Sequence, residues 1–215
     1  MQDLEMVSSL YQLGNVPIDT SILMQLLKDY KSPYDKIVEM VNKGWLVKMR
    51  RGLYIVSPKL THRSPESFLI ANHLYGPSYI SLESALSFWG LIPERVFETT
   101  SVTTRLSYKI TNEIGRFSFL RLPLNYFSLG FRSIEIAEKQ MVIIASKEKA
   151  LCDQVISTSG LNIRSKKQAI TYLIDDLRIE YEELIKLDLN MMAEWTSICP
   201  KKQSIIHIIH AISKI

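Results

Sequence analysis

The side chains best able to bind a ligand are the cations between residues 28 and 59. This stretch contains eight basic and three acidic residues, a local charge of +5. The basic residues are Lys28, Lys31, Lys36, Lys43, Lys48, Arg50, Arg51 and Lys59. Lys and Arg at this local density bind phosphate oxygens, whatever base sequence carries the phosphates. The segment therefore predicts contact with a nucleic-acid backbone.

The motifs of several enzyme classes are absent from the sequence. The eight glycines lie at least eight positions apart, so neither GxGxxG nor GxxxxGK[ST] can occur. No histidine is followed by glutamate and no glutamate is followed two residues later by lysine, which excludes HExxH and ExK. Two distant cysteines cannot form a CxxC zinc site. We predict no catalytic residue, no metal site and no cofactor, and therefore a protein that is not an enzyme.

Two smaller groupings of reactive residues are better explained by packing. His207 and His210 lie three apart in an apolar helical run, but two ligands are too few for a metal. Cys152 follows the charged run 147–149 and shares a helical face with apolar residues. We expect a buried structural thiol, because a nucleophilic cysteine needs a base and an exposed, electropositive setting.

Three helices and a hairpin are predicted to position the basic residues. Apolar residues at helical spacing indicate two helices before residue 28, the second with Ile18 as its first apolar residue. A third helix begins at Ser32, which forms an S-x-x-D capping box with Asp35, and ends at Gly44. Short β-prone runs at 45–49 and 53–56 flank a basic turn. This order predicts a winged helix-turn-helix over residues 1–57.

The third helix and the hairpin carry the residues that we expect to contact DNA. With Ile37, Met40 and Val41 facing inward, the opposite side of the helix would meet the major groove. The hairpin tip would meet phosphates. The predicted DNA-binding residues are Lys31, Ser32, Lys36, Asn42, Lys43, Lys48, Arg50 and Arg51. For the third helix taken alone, the alternative is that its charged side only faces water and binds no DNA.

Residues 58–215 are predicted to form a second, α/β part of the chain. Ser57-Pro58 and Ser64-Pro65 bracket polar residues, which we interpret as a linker. Helical patterns and then short β-branched or alternating runs between 99 and 145 predict a small mixed sheet with helices up to about residue 160. From 161 to 215 the pattern is helical. The whole chain is therefore predicted as an α+β protein with domains 1–57 and 58–215.

The composition is that of an ordinary globular protein. The 215 residues are 47% hydrophobic and 22% charged, with a net charge of +4, which is typical of folded domains. The longest run without a formal charge, residues 67–82, contains Gly76 and Pro77, so we expect no membrane span. The acidic N-terminal residues and the two isolated cysteines favour a cytoplasmic location.

Three segments resemble AbiEi-type antitoxins, the regulator halves of type IV toxin–antitoxin pairs that act in abortive infection against phage. They are Lys43-Gly-Trp-Leu-Val-Lys-Met-Arg-Arg-Gly-Leu-Tyr54, then Gly76-Pro-Ser-Tyr-Ile-Ser-Leu-Glu-Ser-Ala-Leu86 with Gly90-Leu-Ile-Pro93, and Lys147-Glu-Lys-Ala-Leu-Cys-Asp153. The resemblance covers residues 5–160, and its specificity lies in the order and spacing of the segments.

The resemblance implies a two-part regulator. Its winged helix would repress its own operon by binding double-stranded operator DNA. Its second domain would counteract a nucleotidyltransferase-fold toxin without a stable complex between the two proteins. The resemblance supplies no catalytic residue.

Two other functions stay open on the residues alone. One is a stand-alone transcription regulator whose α/β domain binds a small effector or a partner protein. The other is an enzyme with a DNA-binding appendage, which requires a pocket with converging polar groups in the second domain. The neighbouring gene would distinguish the antitoxin from the stand-alone regulator.

Overall fold

The computed structural model describes the backbone of residues 2–215 and the side chains from Met6 onward. Helices and strands are mixed along the chain, and the predicted α+β class is confirmed. The helices are α1 (Gln2–Gln12), α2 (Thr20–Leu26), α3 (Pro33–Asn42), α4 (Pro58–Thr61), α5 (Ser67–Leu74), α6 (Leu82–Phe88), α7 (Leu124–Phe127), α8 (Lys147–Ser157), α9 (Lys166–Ile170), α10 (Tyr181–Leu184), α11 (Leu189–Trp195) and α12 (Lys202–Ile212). The strands are β1 (Ile18–Asp19), β2 (Leu46–Arg50), β3 (Leu53–Val56), β4 (Ser78–Ile80), β5 (Glu98–Thr103), β6 (Tyr108–Thr111), β7 (Arg116–Arg121), β8 (Phe131–Ala137) and β9 (Gln140–Ala145).

The elements group into two compact units. The first comprises residues 1–76 and 135–142, and the second comprises residues 77–134 and 143–215. Residue 57 therefore lies inside the first unit, just after β3. The division of function between residues 1–57 and 58–215 stays a prediction.

The first unit closes around an apolar core beneath its first three helices. Its three strands form an antiparallel sheet in the order β1-β3-β2. Leu10, Leu23 and Met40 are completely buried and belong to one cluster with residues of α1, α2, α3 and the sheet. Burying one such side chain stabilises the fold by about 1.5–3 kcal/mol. This core holds α3 against the sheet, with one face of α3 exposed.

Two predictions near the ends of the early helices were wrong. Ile18 belongs to β1 rather than to a helix, because it pairs with Tyr54 of β3, and α2 begins only at Thr20. Ser32 precedes α3 but its hydroxyl caps no backbone group of the helix. The hydroxyl donates to the Asp35 carboxylate instead, so the predicted capping box does not form.

The predicted linker after the hairpin is a structured turn of helix. Pro58 occupies the first turn of α4, where its missing N–H costs no hydrogen bond. Thr61 at the end of α4 is completely buried, and its hydroxyl donates to the carbonyl oxygen of Arg63 at 3.1 Å. A Cβ atom at Gly14 would lie 3.2 Å from Thr61, so the chain packs closely here. The interpretation of residues 58–65 as a linker was therefore wrong.

Six strands form a mixed sheet in the order β6-β7-β5-β4-β9-β8. The pairs β4–β5 and β6–β7 are antiparallel, whereas β5–β7 and β4–β9 are parallel. The predicted runs between 99 and 145 coincide with β5 to β9 within a few residues. The sequence pattern missed β4, because three buried residues are too short a run to show a period.

The chain is helical after β9, as predicted for residues 161–215. Ser165 caps α9, since its hydroxyl accepts a hydrogen bond from the backbone N–H of Gln168 at 3.2 Å. A π-helical segment, Thr171–Asp176, continues directly from α9. None of the helices within residues 2–215 is both long enough and apolar enough to cross a bilayer.

Candidate nucleic-acid interface

Two residues of α3 pack into the core, and they determine which side of the helix faces outward. Ile37 and Met40 are buried, and Val41 is half-buried beside them. The face opposite Met40 therefore carries Tyr34, Asp35, Val38 and Asn42, all of which are exposed. Asn42 is a predicted contact residue and lies where it was expected. Tyr34 and Val38 were not predicted, although they are 64% and 58% exposed.

Lys36 was predicted to lie on the outward face of α3, and that placement was wrong. Its side chain is only 11% exposed. The helix turns about 100° per residue, so Lys36 lies next to Met40 at the edge of the core rather than beside Asn42. Its ammonium group stands 5.4 Å from the centre of the Tyr30 ring.

Glu39 links the two lysines that flank it on α3. Its Oε1 lies 3.0 Å from Nζ of Lys36 and 2.6 Å from Nζ of Lys43. Hydrogen bonds from Lys43 and then from Lys36 lower the pKa of Glu39, so the carboxylate stays ionised at neutral pH. Lys43 also lies 4.8 Å from the centre of the Trp45 ring. The charge of α3 is therefore largely neutralised by its own acid.

A β-bulge at Met49 interrupts the pairing of the two hairpin strands. Lys48 pairs with Tyr54, whereas Arg50 pairs with Leu53, so Met49 is the additional residue of β2. Leu46 and Met49 are buried, whereas Lys48 and Arg50 are exposed. The bulged strand thus buries Met49 and exposes the cation on either side of it.

The hairpin tip holds Arg50 and Arg51 in defined positions. Arg50 donates from Nη1 to the carbonyl oxygen of Arg51 at 3.1 Å, and from Nη2 to that of His73 at 3.4 Å. Gly52 takes a φ of +82° in the turn, a conformation that favours glycine. Arg51 is exposed beside it. A guanidinium has five N–H donors, so Arg50 retains donors for a phosphate while two are engaged.

The remaining predicted contact residues lie where α3 begins and ends. Lys31 and Ser32 are exposed just before the helix, and Lys43 is exposed at its C-terminal cap. The first unit thus exposes cations at three places: in the turn before α3, at the end of α3 and on the hairpin. Cations at such places can bind a phosphate backbone.

Lys149, the last residue of the charged run before Cys152, belongs to a buried network. Lys149 and Asp153 of α8 are both completely buried, and Nζ of Lys149 lies 3.1 Å from Oδ1 of Asp153. Oδ2 of Asp153 accepts hydrogen bonds from Tyr79 at 3.0 Å and from Ser81 at 2.7 Å. Burial raises the pKa of the Cys152 thiol, which makes the reactive thiolate scarce.

The residues of this network come from two of the three segments that carry the family resemblance. Tyr79 and Ser81 come from the second segment, and Lys149 and Asp153 come from the third. Nζ of Lys149 also donates to the carbonyl oxygen of Tyr126 at 3.0 Å. The network therefore joins β4, α7 and α8 within the second unit.

The two histidines of α12 do not belong to a metal-binding cluster. His207 is half-buried and His210 is exposed. In the part of the chain that the structure describes, no three histidine, cysteine, aspartate or glutamate side chains come together as a candidate metal site.

Comparison with known proteins adds information about the fold. No family model matches the chain, and no curated protein matches its sequence. Among solved structures, the chain is similar to the crystal structure of the RV2827C protein from Mycobacterium tuberculosis, with a TM-score of 0.52 and 15% sequence identity. The match covers 97% of this chain and 80% of that chain. At this identity the likeness is one of fold, and a fold by itself does not define an activity.

Proposed function

We propose that this protein is a DNA-binding transcription regulator that acts as the antitoxin of a type IV toxin–antitoxin pair. Its first unit would be a winged helix-turn-helix, with α2 and α3 as the helix-turn-helix and the β2–β3 hairpin as the wing. In this role α3 enters the major groove, and the hairpin lies along the phosphate backbone.

The observation that carries the DNA-binding proposal is the group of three exposed cations on the hairpin, Lys48, Arg50 and Arg51. The core buries none of them, and cations at this density supply a phosphate-binding edge. The outward face of α3 provides the second contact, with Asn42 as a side chain suited to a base edge.

The experiment for DNA binding is a salt titration of affinity. The full chain is titrated into a labelled duplex from the region upstream of its own gene and into a random duplex. We expect tighter binding to the upstream duplex, and a linear fall of log affinity with log salt on both duplexes. Absence of binding to either duplex at low salt contradicts the proposal.

The antitoxin part of the proposal is supported by the order of the three resembling segments. It requires an activity that is separable from repression, because lower operon expression alone would also reduce toxicity. The full chain carrying Arg50→Ala and Arg51→Ala is therefore expressed from a foreign promoter together with the neighbouring gene. Growth rescue by this variant supports a separate antitoxin activity. Rescue by the wild type alone attributes the phenotype to DNA binding.

One observation favours a second candidate, a regulator controlled by an effector. A groove of ≈560 Å³ lies over β5, β6 and β7 in the second unit, and Thr100, Ser118, Lys109 and Arg116 are among the residues that line it. Phe97, which is largely exposed, stands at its edge. Hydroxyls and cations beside an aromatic ring suit a small polar ligand. A metabolite that changes operator affinity without any neighbouring toxin gene would favour this candidate.

A further inference from the structure

The outward face of α3 carries a row of apolar side chains that the core does not use. Tyr34, Val38 and Asn42 follow one another at spacings of four, so they lie on one line along the helix. Tyr34 and Val38 are among the most exposed large apolar residues of the first unit. Two such side chains exposed on one ten-residue helix point to a ligand that covers them.

The surroundings of this row identify the kind of ligand. Lys31 precedes the row along the chain, Lys43 follows it, and both are exposed. Lys48 and Arg51 are exposed on the hairpin that follows α3. Glu39 binds Lys36 and Lys43, and Asp35, which accepts the Ser32 hydroxyl, keeps its charge beside the row. An apolar strip with a cation beyond each end complements the major groove. There the thymine methyl groups lie on the floor, and phosphates line both sides.

We propose that Tyr34 and Val38 read thymine methyl groups, with Asn42 bound to an adenine at the end of the same row. This inference rests on the proposed DNA-binding function and adds the sequence class of the target. From Tyr34 to Asn42 the helix rises about 12 Å, which corresponds to roughly three to four base-pair steps. Each half-site is therefore a short A·T-rich run, read from the major groove.

Substitution of thymine by deoxyuridine tests the inference, because it removes only the methyl group. The full chain first selects binding sites from random duplexes, and every thymine of the selected site is then replaced singly. We expect one or two positions at which affinity falls about fourfold, the value of one buried methyl group. In the Val38→Ala or Tyr34→Ala variant, deoxyuridine should no longer weaken binding at the position that the replaced side chain contacts.

A matched control separates the row from exposed apolar residues in general. Ile185 in the second unit is exposed to a similar degree as Val38, and Ile185→Ala should leave every deoxyuridine effect unchanged. Circular dichroism verifies the fold of each variant.

Two results would overturn the inference while leaving DNA binding intact. One is a selected site at which no deoxyuridine weakens binding. The other is a deoxyuridine effect that persists undiminished in both Val38→Ala and Tyr34→Ala. Failure of the proposed function itself looks different, because the chain would then bind no duplex at low salt and enrich no sequence.

Discussion

Nζ of Lys149 lies 3.1 Å from Oδ1 of Asp153, and both side chains are completely buried one helical turn apart in α8. Desolvation of two charges costs several kcal/mol per ion, and the cost is offset only when good hydrogen bonds satisfy the remaining atoms. Here Tyr79 and Ser81 donate to the carboxylate, and the Tyr126 carbonyl accepts from the ammonium group. The pair therefore specifies how β4, α7 and α8 meet.

Removal of the cation alone should be more harmful than removal of both charges. Lys149→Met leaves Asp153 buried without its counter-ion, and we expect a loss of about 3–5 kcal/mol in the free energy of unfolding. Lys149→Met combined with Asp153→Asn should lose less, because the amide oxygen still accepts from Tyr79 and Ser81. Urea unfolding of the three proteins measures this. A double variant less stable than Lys149→Met would contradict the expected coupling.

The buried tyrosines should make the protein sensitive to alkali. Burial, reinforced by the charge of Asp153, raises the pKa of Tyr79 and Tyr126 well above the ordinary value. The ordinary pKa of tyrosine in an unfolded chain is about 10. A group whose pKa is raised in the folded state contributes fully to the free energy of unfolding below that pH, and this contribution is lost as the pH rises above it. Stability should therefore fall above about pH 10, at up to about 1.4 kcal/mol per pH unit for each tyrosine.

A pair of phenylalanine variants tests whether the buried tyrosines cause the loss of stability at alkaline pH. Tyr126→Phe keeps the ring, whose centre lies 3.1 Å from Nζ of Lys149, and removes one titrating hydroxyl. Its stability should fall less than that of the wild type between pH 8 and pH 11. Tyr181→Phe, which alters a half-exposed ring, serves as the control. Equal losses in the wild type and Tyr126→Phe would refute the assignment.

Replacement of both hairpin arginines should weaken DNA binding with little effect on sequence preference. Phosphate contacts position a protein without reading bases, so Arg50→Ala with Arg51→Ala should reduce affinity for specific and random duplexes by similar factors. The slope of log affinity against log salt should flatten by about 1.8 for two lost contacts. Lys166→Ala with Lys167→Ala removes the same charge from an exposed part of α9 and is the control. An unchanged slope in the hairpin variant excludes the wing from the interface.

Glu39 should restrain non-specific binding, because it occupies two cations of α3. Glu39→Gln removes the negative charge that pairs with Lys36 and Lys43, and of these two lysines Lys43 is the exposed one that can meet a phosphate. We expect higher affinity for random DNA and a salt slope steeper by up to about 0.9, with a smaller ratio of specific to non-specific affinity. Glu138→Gln removes one acid at an exposed turn and is the matched control. If affinity for random DNA is the same in Glu39→Gln as in the wild type, the ion pairs do not limit binding.

Much of the fold follows from local patterns. The strands of the hairpin agree with prediction within a residue or two, because their β-prone runs are separated by a turn that ends in glycine. The extent of α3 follows likewise from Pro33 near its start and Gly44 just past its end. The exposed cations of the hairpin were also predictable, since no core accommodates Arg50 and Arg51.

Only the tertiary structure decided which side chains of these elements face outward. Core packing of Ile37 and Met40 rotates α3 so that Tyr34 and Val38 are exposed and Lys36 lies at the core edge. The bulge at Met49 depends on pairing with β3, which the residues of β2 alone do not reveal. Asp153 meets Tyr79 across 74 positions of sequence. Local sequence determines where an element begins and ends, whereas its rotation and its partners are determined by the apolar surface that distant parts of the chain bury together.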